Sequence, residues 1–263
     1  MFTRETPAEA LITVVTRNRL EYTARCLAAL EAMDEPAAVH VVIVDNGSDR
    51  ATIDWLKLWT YNTGLTVRRL VLLSPRDPHN IAAAVNLGWL QSHRYPIRVK
   101  LDNDILLPRD WLARTRRLIY AGYGLVGWVP CDEPDLARGF LPVWQTIWNS
   151  TFRGYHYVFG GCACASERWF EKVGYWHEGY RRGIDFEYSI RGQLLGEMIT
   201  YVKDACAVHV GTESADDDFL RRQAYQEARL RFDLTFSRTP QPYMTRWLTR
   251  RFSQNRFVWQ VAE

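Results

Sequence analysis

Asp102-Asn103-Asp104, at the close of an apolar run, is the first place in this sequence to look for chemistry. Two carboxylates separated by one residue do not share a helix face. After a strand they sit on a turn, and open α/β sheets bind ligands at the carboxyl ends of their strands. Carboxylates there suit Mg2+ or Mn2+, hard ions that commonly bridge to diphosphate oxygens. The plainer alternative is a solvated turn that caps the helix near Pro108. Asp45 closes a second apolar run in Val44-Asp-Asn-Gly-Ser48. A carboxylate at that place can accept hydrogen bonds from a nucleobase or ribose, while Asn-Gly is equally a turn former. Thr16-Arg17-Asn18-Arg19 ends a third run, and its polar groups either line a nucleotide pocket or cap the helix before Leu20. Asp185, in Gly183-Ile-Asp-Phe-Glu187, enters a helix as a dipole partner or as a general base for an attacking hydroxyl. His209 ends Cys206-Ala-Val-His209 as a structural side chain or, with Asp104 near, as the nitrogen of an O/N metal site.

These groups lie far apart in sequence, so a frame must gather them. Residues 11–16, 39–44, 66–73, 97–101 and 125–129 are short, β-branched or apolar runs and read as buried strands. Between them 20–33, 51–60, 79–93 and 109–121 carry helical spacing, with Leu20, Ala24, Leu27 and Leu30 on one face of the first. Strands alternating with helices of this length predict an α/β fold with a largely parallel sheet and helices on both faces. The pattern changes after Pro130. Residues 131–155 read as irregular loop or antiparallel strand, 166–173 as a short helix capped by Ser166, and 184–196 as a helix. Strands are expected at 198–202 and 206–210, and a charged helix at 216–234.

The chain has 263 residues, 47% apolar and 24% charged, which excludes wholesale disorder, collagen and coiled coil. Its net charge of +3 excludes a polycationic coat. The basic set is nevertheless 29 Arg against four Lys, a bias that GC-rich coding or forked recognition of phosphate would each produce. Eleven Trp suggest stacking surfaces, though core packing is their commoner use. The five Cys are odd in number, in a long chain whose opening lacks the apolar core of a leader, so buried, reduced thiols in a cytosol are expected. The Cys162-x-Cys164 pair has no second half for a zinc site. No apolar run is long enough to span a membrane. From Phe219 to Ala262, nine Arg face only Glu227 and Asp233, so the tail is strongly basic.

The order and spacing of these segments resemble the family-2 inverting glycosyltransferases, which have the GT-A fold. The matching pieces are Thr13-Val-Val-Thr-Arg-Asn18, Val41-Val-Ile-Val-Asp-Asn-Gly-Ser48, 80–86, Asp102-Asn-Asp104, Gly160-Gly161, 170–175, Asp185-Phe-Glu187 and His209. The resemblance covers about 11–211. It implies a Rossmann-like, mainly parallel sheet flanked by helices, with a smaller antiparallel acceptor-side part. The expected GT-A domain is 1–211, with a nucleotide-binding half at about 11–130 and an acceptor half at about 131–211, followed by a helical, basic and aromatic extension at 212–263. Thr16, Arg17, Asn18, Asp45, Asn80, Asp102 and Asn103 would then face the nucleotide-sugar donor. Asp104 and His209 would hold Mn2+ or Mg2+, Asp185 would be the catalytic base, and Gly160, Gly161 and Glu187 would lie on the sugar and acceptor side. The family's usual Glu-Asp pair is altered here, because Ile184 takes the Glu position.

The activity so implied is metal-dependent, inverting transfer from a nucleotide sugar, UDP-linked by expectation, to a hydroxyl of a glycan or lipid-linked glycan. Two alternatives stay open. The Arg- and Trp-rich tail suits the same chemistry on a hydroxylated base of modified DNA, since Arg neutralises phosphate and aromatics stack on bases. Ile184 suits a non-catalytic module that binds nucleotide sugars. A cytoplasmic place is expected, with the tail as a contact to nucleic acid or to an anionic membrane surface.

Overall fold

The structure is a computed structural model that describes residues 8–74, 80–90, 95–131, 156–178 and 183–211, and the backbone of Val258–Trp259. In chain order the strands are β1 (Ala10–Thr16), β2 (Val39–Asp45), β3 (Thr66–Leu72), β4 (Ile97–Asp102), β5 (Ile105–Leu106), β6 (Leu125–Pro130), β7 (Cys162–Ser166), β8 (Ile199–His209) and β9 (Val258–Trp259). The helices are α1 (Leu20–Glu31), α2 (Arg50–Asn62), α3 (Ile81–Trp89), α4 (Trp111–Tyr120), α5 (Glu167–Val173) and α6 (Ile184–Leu194). Side by side the strands run β5-β8-β6-β7-β4-β1-β2-β3-β9. β1, β2, β3 and β4 are mutually parallel where they pair, and β6 is parallel to β8. β7 runs antiparallel between β4 and β6. The expected α/β architecture is therefore present.

Every residue of β1 and β2 is buried, as in strands covered on both faces. Strand alternation divides the core into two layers. Ile12, Val41, Val99, Trp111 and Trp128 pack on one side of the sheet, with Cys26, Leu27 and Leu30 of α1. Leu11, Val42, Ala84, Trp89, Trp169 and Tyr188 pack on the other, under α3, α5 and α6. Trp89, Trp111, Trp128, Trp169 and Trp176 are all fully buried, so core packing takes much of the tryptophan content. Several helices start on side-chain caps, which replace the partners that first-turn N–H groups lack. Asp49 accepts from the Thr52 amide at 2.8 Å, Asn80 from the Ala83 amide at 3.2 Å, and Ser166 from the Trp169 amide at 3.1 Å.

Three differences from the sequence reading have physical causes. The expected strands at 198–202 and 206–210 are one strand, β8, because Lys203 and Asp204 point to solvent without breaking the extended backbone. β7 was not anticipated, since Cys-Ala-Cys-Ala-Ser has small residues and no β-branched ones. The expectation of reduced thiols fails for two of the five. Parallel pairing of β6 with β8 sets Pro130 opposite Ala207, so Cys131 and Cys206 meet with Cα atoms 5.1 Å apart and form a disulfide. Cys26, Cys162 and Cys164 are buried free thiols. β9, two residues of the expected extension, adds an antiparallel edge to β3. The helix expected at 216–234, and residues 132–155, lie outside the described residues. No helix among the described residues is long and apolar enough to cross a membrane.

Candidate active site

The chain goes from β1 to β2 to β3 on one side of β1 and returns to place β4 on the other. The crevice between the carboxyl ends of β1 and β4 is thus a topological switch point, the usual ligand site of an open α/β sheet. Register brings the predicted residues to that edge, since Thr16 is opposite Asp45 and Val15 opposite Asp102. Asp45 is fully buried. One of its oxygens accepts from the Ser48 amide at 3.0 Å, and the other, Oδ1, has no partner among the described residues. Burial pushes its carboxyl above the ordinary range, against the Ser48 hydroxyl and the Ser48 and Gly47 amides, which favour the charged form. Asn18 knits the neighbouring turn: its amide donates to Ser48 Oγ at 2.7 Å and its Oδ1 accepts from the Asp49 amide at 2.8 Å. Asn18 and Arg19 both take the left-handed backbone (φ 52° and 53°), which costs a non-glycine residue energy and clusters at functional sites. Arg17 is exposed at the same edge.

Asp104 and His209, 105 positions apart in sequence, do meet. β5 pairs antiparallel with β8, so Ile105 is opposite His209, and His209 Nε2 lies 3.6 Å from Asp104 Oδ2. The same oxygen receives Arg19 Nη1 at 3.1 Å. Burial works against the Asp104 charge, but His209 and Arg19 together hold its carboxyl below the ordinary range. Among the described residues no group of three His, Cys, Asp or Glu side chains forms a complete metal cage. A carboxylate oxygen beside an imidazole nitrogen nevertheless fits Mn2+ or Mg2+ bound together with substrate phosphates, because such ions keep water and substrate oxygens in their shell.

Asp185 sits in the first turn of α6, after Gly183, whose left-handed φ of 72° turns the chain into the helix. Its Oδ2 accepts from the Gly160 amide at 3.2 Å, and Oδ1 faces its neighbour Phe186 N at 3.1 Å. A Cβ on Gly160 would lie 3.2 Å from Asp185 Cβ, so glycine allows this close approach. Gly161 O accepts from the Asp102 amide at 2.9 Å. Burial pushes the Asp185 carboxyl up, with the Lys100 charge as the leading opposition; the Asp102 carboxyl is likewise raised by burial and opposed by Lys100. Lys100 is the residue that the sequence reading missed. Its Nζ lies 2.7 Å from Asp102 Oδ1 and also donates to Gly160 O.

Four predicted residues have other engagements, the first being Thr16, whose buried hydroxyl lies 2.8 Å from Thr23 Oγ1. Asn103 points inward, its Nδ2 donating to Thr23 Oγ1 at 2.8 Å and Thr16 Oγ1 at 3.3 Å, so it ties β4 to β1 and α1. Asn80 caps α3 and donates to Glu178 O. Glu187 is buried, with its carboxylate on Arg191 Nε at 2.6 Å and Nη2 at 3.0 Å, while Arg191 also holds Val173 O and Tyr175 O. Residues two apart on a helix face different ways, so Asp185 turns to Gly160 and Glu187 to the packing behind the helix. Ile184 is buried in the second core layer, where an ionised Glu would be costly.

Solved structures share this architecture. A mannosyltransferase, PcManGT from Pyrobaculum calidifontis in complex with GDP-Man and Mn2+, has a TM-score of 0.64 and 19% identity, over 86% of this chain and 66% of its own. TarS 1-349 of S. aureus in complex with UDP-GlcNAc has a TM-score of 0.54 and 15% identity, over 78% of this chain and 59% of its own. The chain thus spans less than two thirds of the length of these structures, which share with it the GT-A fold. No curated protein matches the chain. The sequence model described as glycosyl transferase family 2 matches residues 11–174, well over half of the chain. The chain belongs to glycosyl transferase family 2.

Proposed function

We propose that this chain transfers a sugar from a nucleotide-diphosphate donor to an acceptor hydroxyl with inversion at the anomeric carbon. The observation that carries the reading is the convergence of Asp104 with His209, and of Asp185 with Gly160 and Lys100, at one sheet edge. Asp45, with an unpartnered oxygen, would accept from the base or ribose. Asp104 and His209 would hold Mn2+ or Mg2+, which when bound would neutralise charge gathering on the departing diphosphate. Asp185 would take the proton from the acceptor hydroxyl, helped by the burial that raises its affinity for a proton. The acceptor oxygen then bonds to the anomeric carbon from the face opposite the diphosphate, and the old C–O pair leaves with the nucleotide. One in-line displacement inverts the centre, and the proton ends on Asp185.

The direct test is a hydrolysis and transfer screen over UDP- and GDP-linked sugars with Mn2+, and with the metal chelated. The GDP arm follows the GDP-Man complex of PcManGT, the UDP arm the UDP-GlcNAc complex of TarS. Asp104→Ala and Asp185→Asn should each abolish transfer, while Asp185→Asn still binds the nucleotide. Full turnover by Asp104→Ala in chelator would overturn the assignment. Nucleotide-sugar binding without transfer or hydrolysis across the screen would favour the binding module that Ile184 suggests.

A further inference from the structure

We infer that Lys100 is a positioning residue that sets the seat of Asp185 by clamping the Gly160–Gly161 backbone to Asp102 of β4. This rests on the reading of Asp185 as the base. The face of β4 opposite the first core layer carries Arg98, Lys100 and Asp102, an unusual stripe for an interior strand. The Lys100 side chain is only 2% exposed, and lysines are almost never buried so far unless paired. Its neighbours in register are Thr13 of β1 and Ala163 of β7, small enough to let the stem run along the strand. Two strand residues rise roughly 6.6 Å, about the reach of a lysine, so the ammonium arrives beside Asp102 at the carboxyl end.

There the ammonium makes two contacts at once. It pairs with Asp102 Oδ1, and it donates to Gly160 O. The Gly160 amide donates in turn to Asp185 Oδ2, and Gly161 O accepts from the Asp102 amide. A closed circuit results, running from Asp102 through Lys100, Gly160 and Gly161 back to the Asp102 amide, and the Gly160 amide ties Asp185 to it. On the glycine side the circuit passes through two residues that have no side chains. Glycine permits the close approach to Asp185 but leaves the backbone loose, and Lys100 supplies the stiffness that the glycines lack.

The test compares wild type with Lys100→Met and Lys100→Arg in the full chain. Hydrogen exchange should quicken about tenfold or more at the Gly160 amide in Lys100→Met, with β1 and β2 amides unchanged and Lys100→Arg close to wild type. With the donor that the screen returns, Lys100→Met should lose about 100-fold in kcat, the cost of a slightly misplaced catalytic group. The donor KM should stay within about threefold, and Lys100→Arg should recover at least about tenfold of the loss. Unchanged exchange at Gly160, or a loss confined to KM, overturns the inference. If Lys100→Met does not fold, Lys100→Leu, which likewise lacks a donor, carries the same comparison. If wild type turns over no donor, the function proposed above fails, while the exchange measurement still decides whether Lys100 holds Gly160.

Discussion

Asp45→Asn should stabilise the protein while weakening its hold on the donor. Asp45 is completely buried, and among the described residues one of its carboxylate oxygens lacks a hydrogen-bond partner. A buried polar group left unpaired costs about 1–3 kcal/mol, and a charge costs more. Asparagine has nearly the same shape, keeps an oxygen for the Ser48 amide and removes the charge. A gain of about 2 kcal/mol at pH 7 would raise the melting temperature by roughly 4–8 °C. The gain should depend on pH. Burial raises the folded pKa of Asp45 above its ordinary 3.8, so the folded protein binds the proton more tightly than the unfolded chain. Stability contributed by that proton is present below the unfolded value and is lost as pH rises through the folded one. Asp45→Asn carries no such titration, so its advantage should open above about pH 4 and then level off. Denaturant unfolding of both proteins from pH 4 to 7 measures this difference directly, since Asp102 and Asp185 titrate in both. Calorimetry with UDP and GDP should show about tenfold to 100-fold weaker binding, the worth of a hydrogen bond to a charged acceptor. A variant less stable than wild type at pH 7, or an advantage that does not vary with pH, would refute the reasoning.

Glu187→Ala strands the Arg191 guanidinium in the interior and should cost about 3–5 kcal/mol, read as a melting temperature lower by roughly 10 °C. Arg19→Met removes a cation from the oxygen that also faces His209. Because Arg19 is half exposed, stability should move by less than about 1 kcal/mol, while Mn2+ measured by titration calorimetry should bind several-fold more tightly. Alkylation of the denatured, unreduced protein should label three cysteines, Cys26, Cys162 and Cys164, and prior reduction should raise the count to five.

The donor side was easy to read because its signals are local. β1, β2 and β4 are apolar runs that stop on polar turns, and a parallel sheet delivers all such stops to one edge. The start of α5 followed from its cap, Ser166. What was hidden depends on pairing across the sheet. Lys100 looks in sequence like any polar strand residue, and only the small neighbours Thr13 and Ala163 make it an interior cation. The family resemblance implied a donor contact for Asn103 and an acceptor contact for Glu187, yet the amide of one turns to two threonines and the carboxylate of the other finds Arg191. The partners Cys131 and Cys206 are 75 residues apart, and spacing says nothing about such a pair until β6 lies beside β8.

The backward run of β7 has a consequence for how such a molecule can be retailored. β6 finishes, and β7 begins, at the very rim where β1, β2 and β4 finish. The intervening stretch therefore departs from and comes home to the mouth of the crevice, whatever its length. Under the transfer proposed above, rewriting that stretch would act on the acceptor side, while the ends of β1, β2 and β4, set by their own pairing, would keep their places.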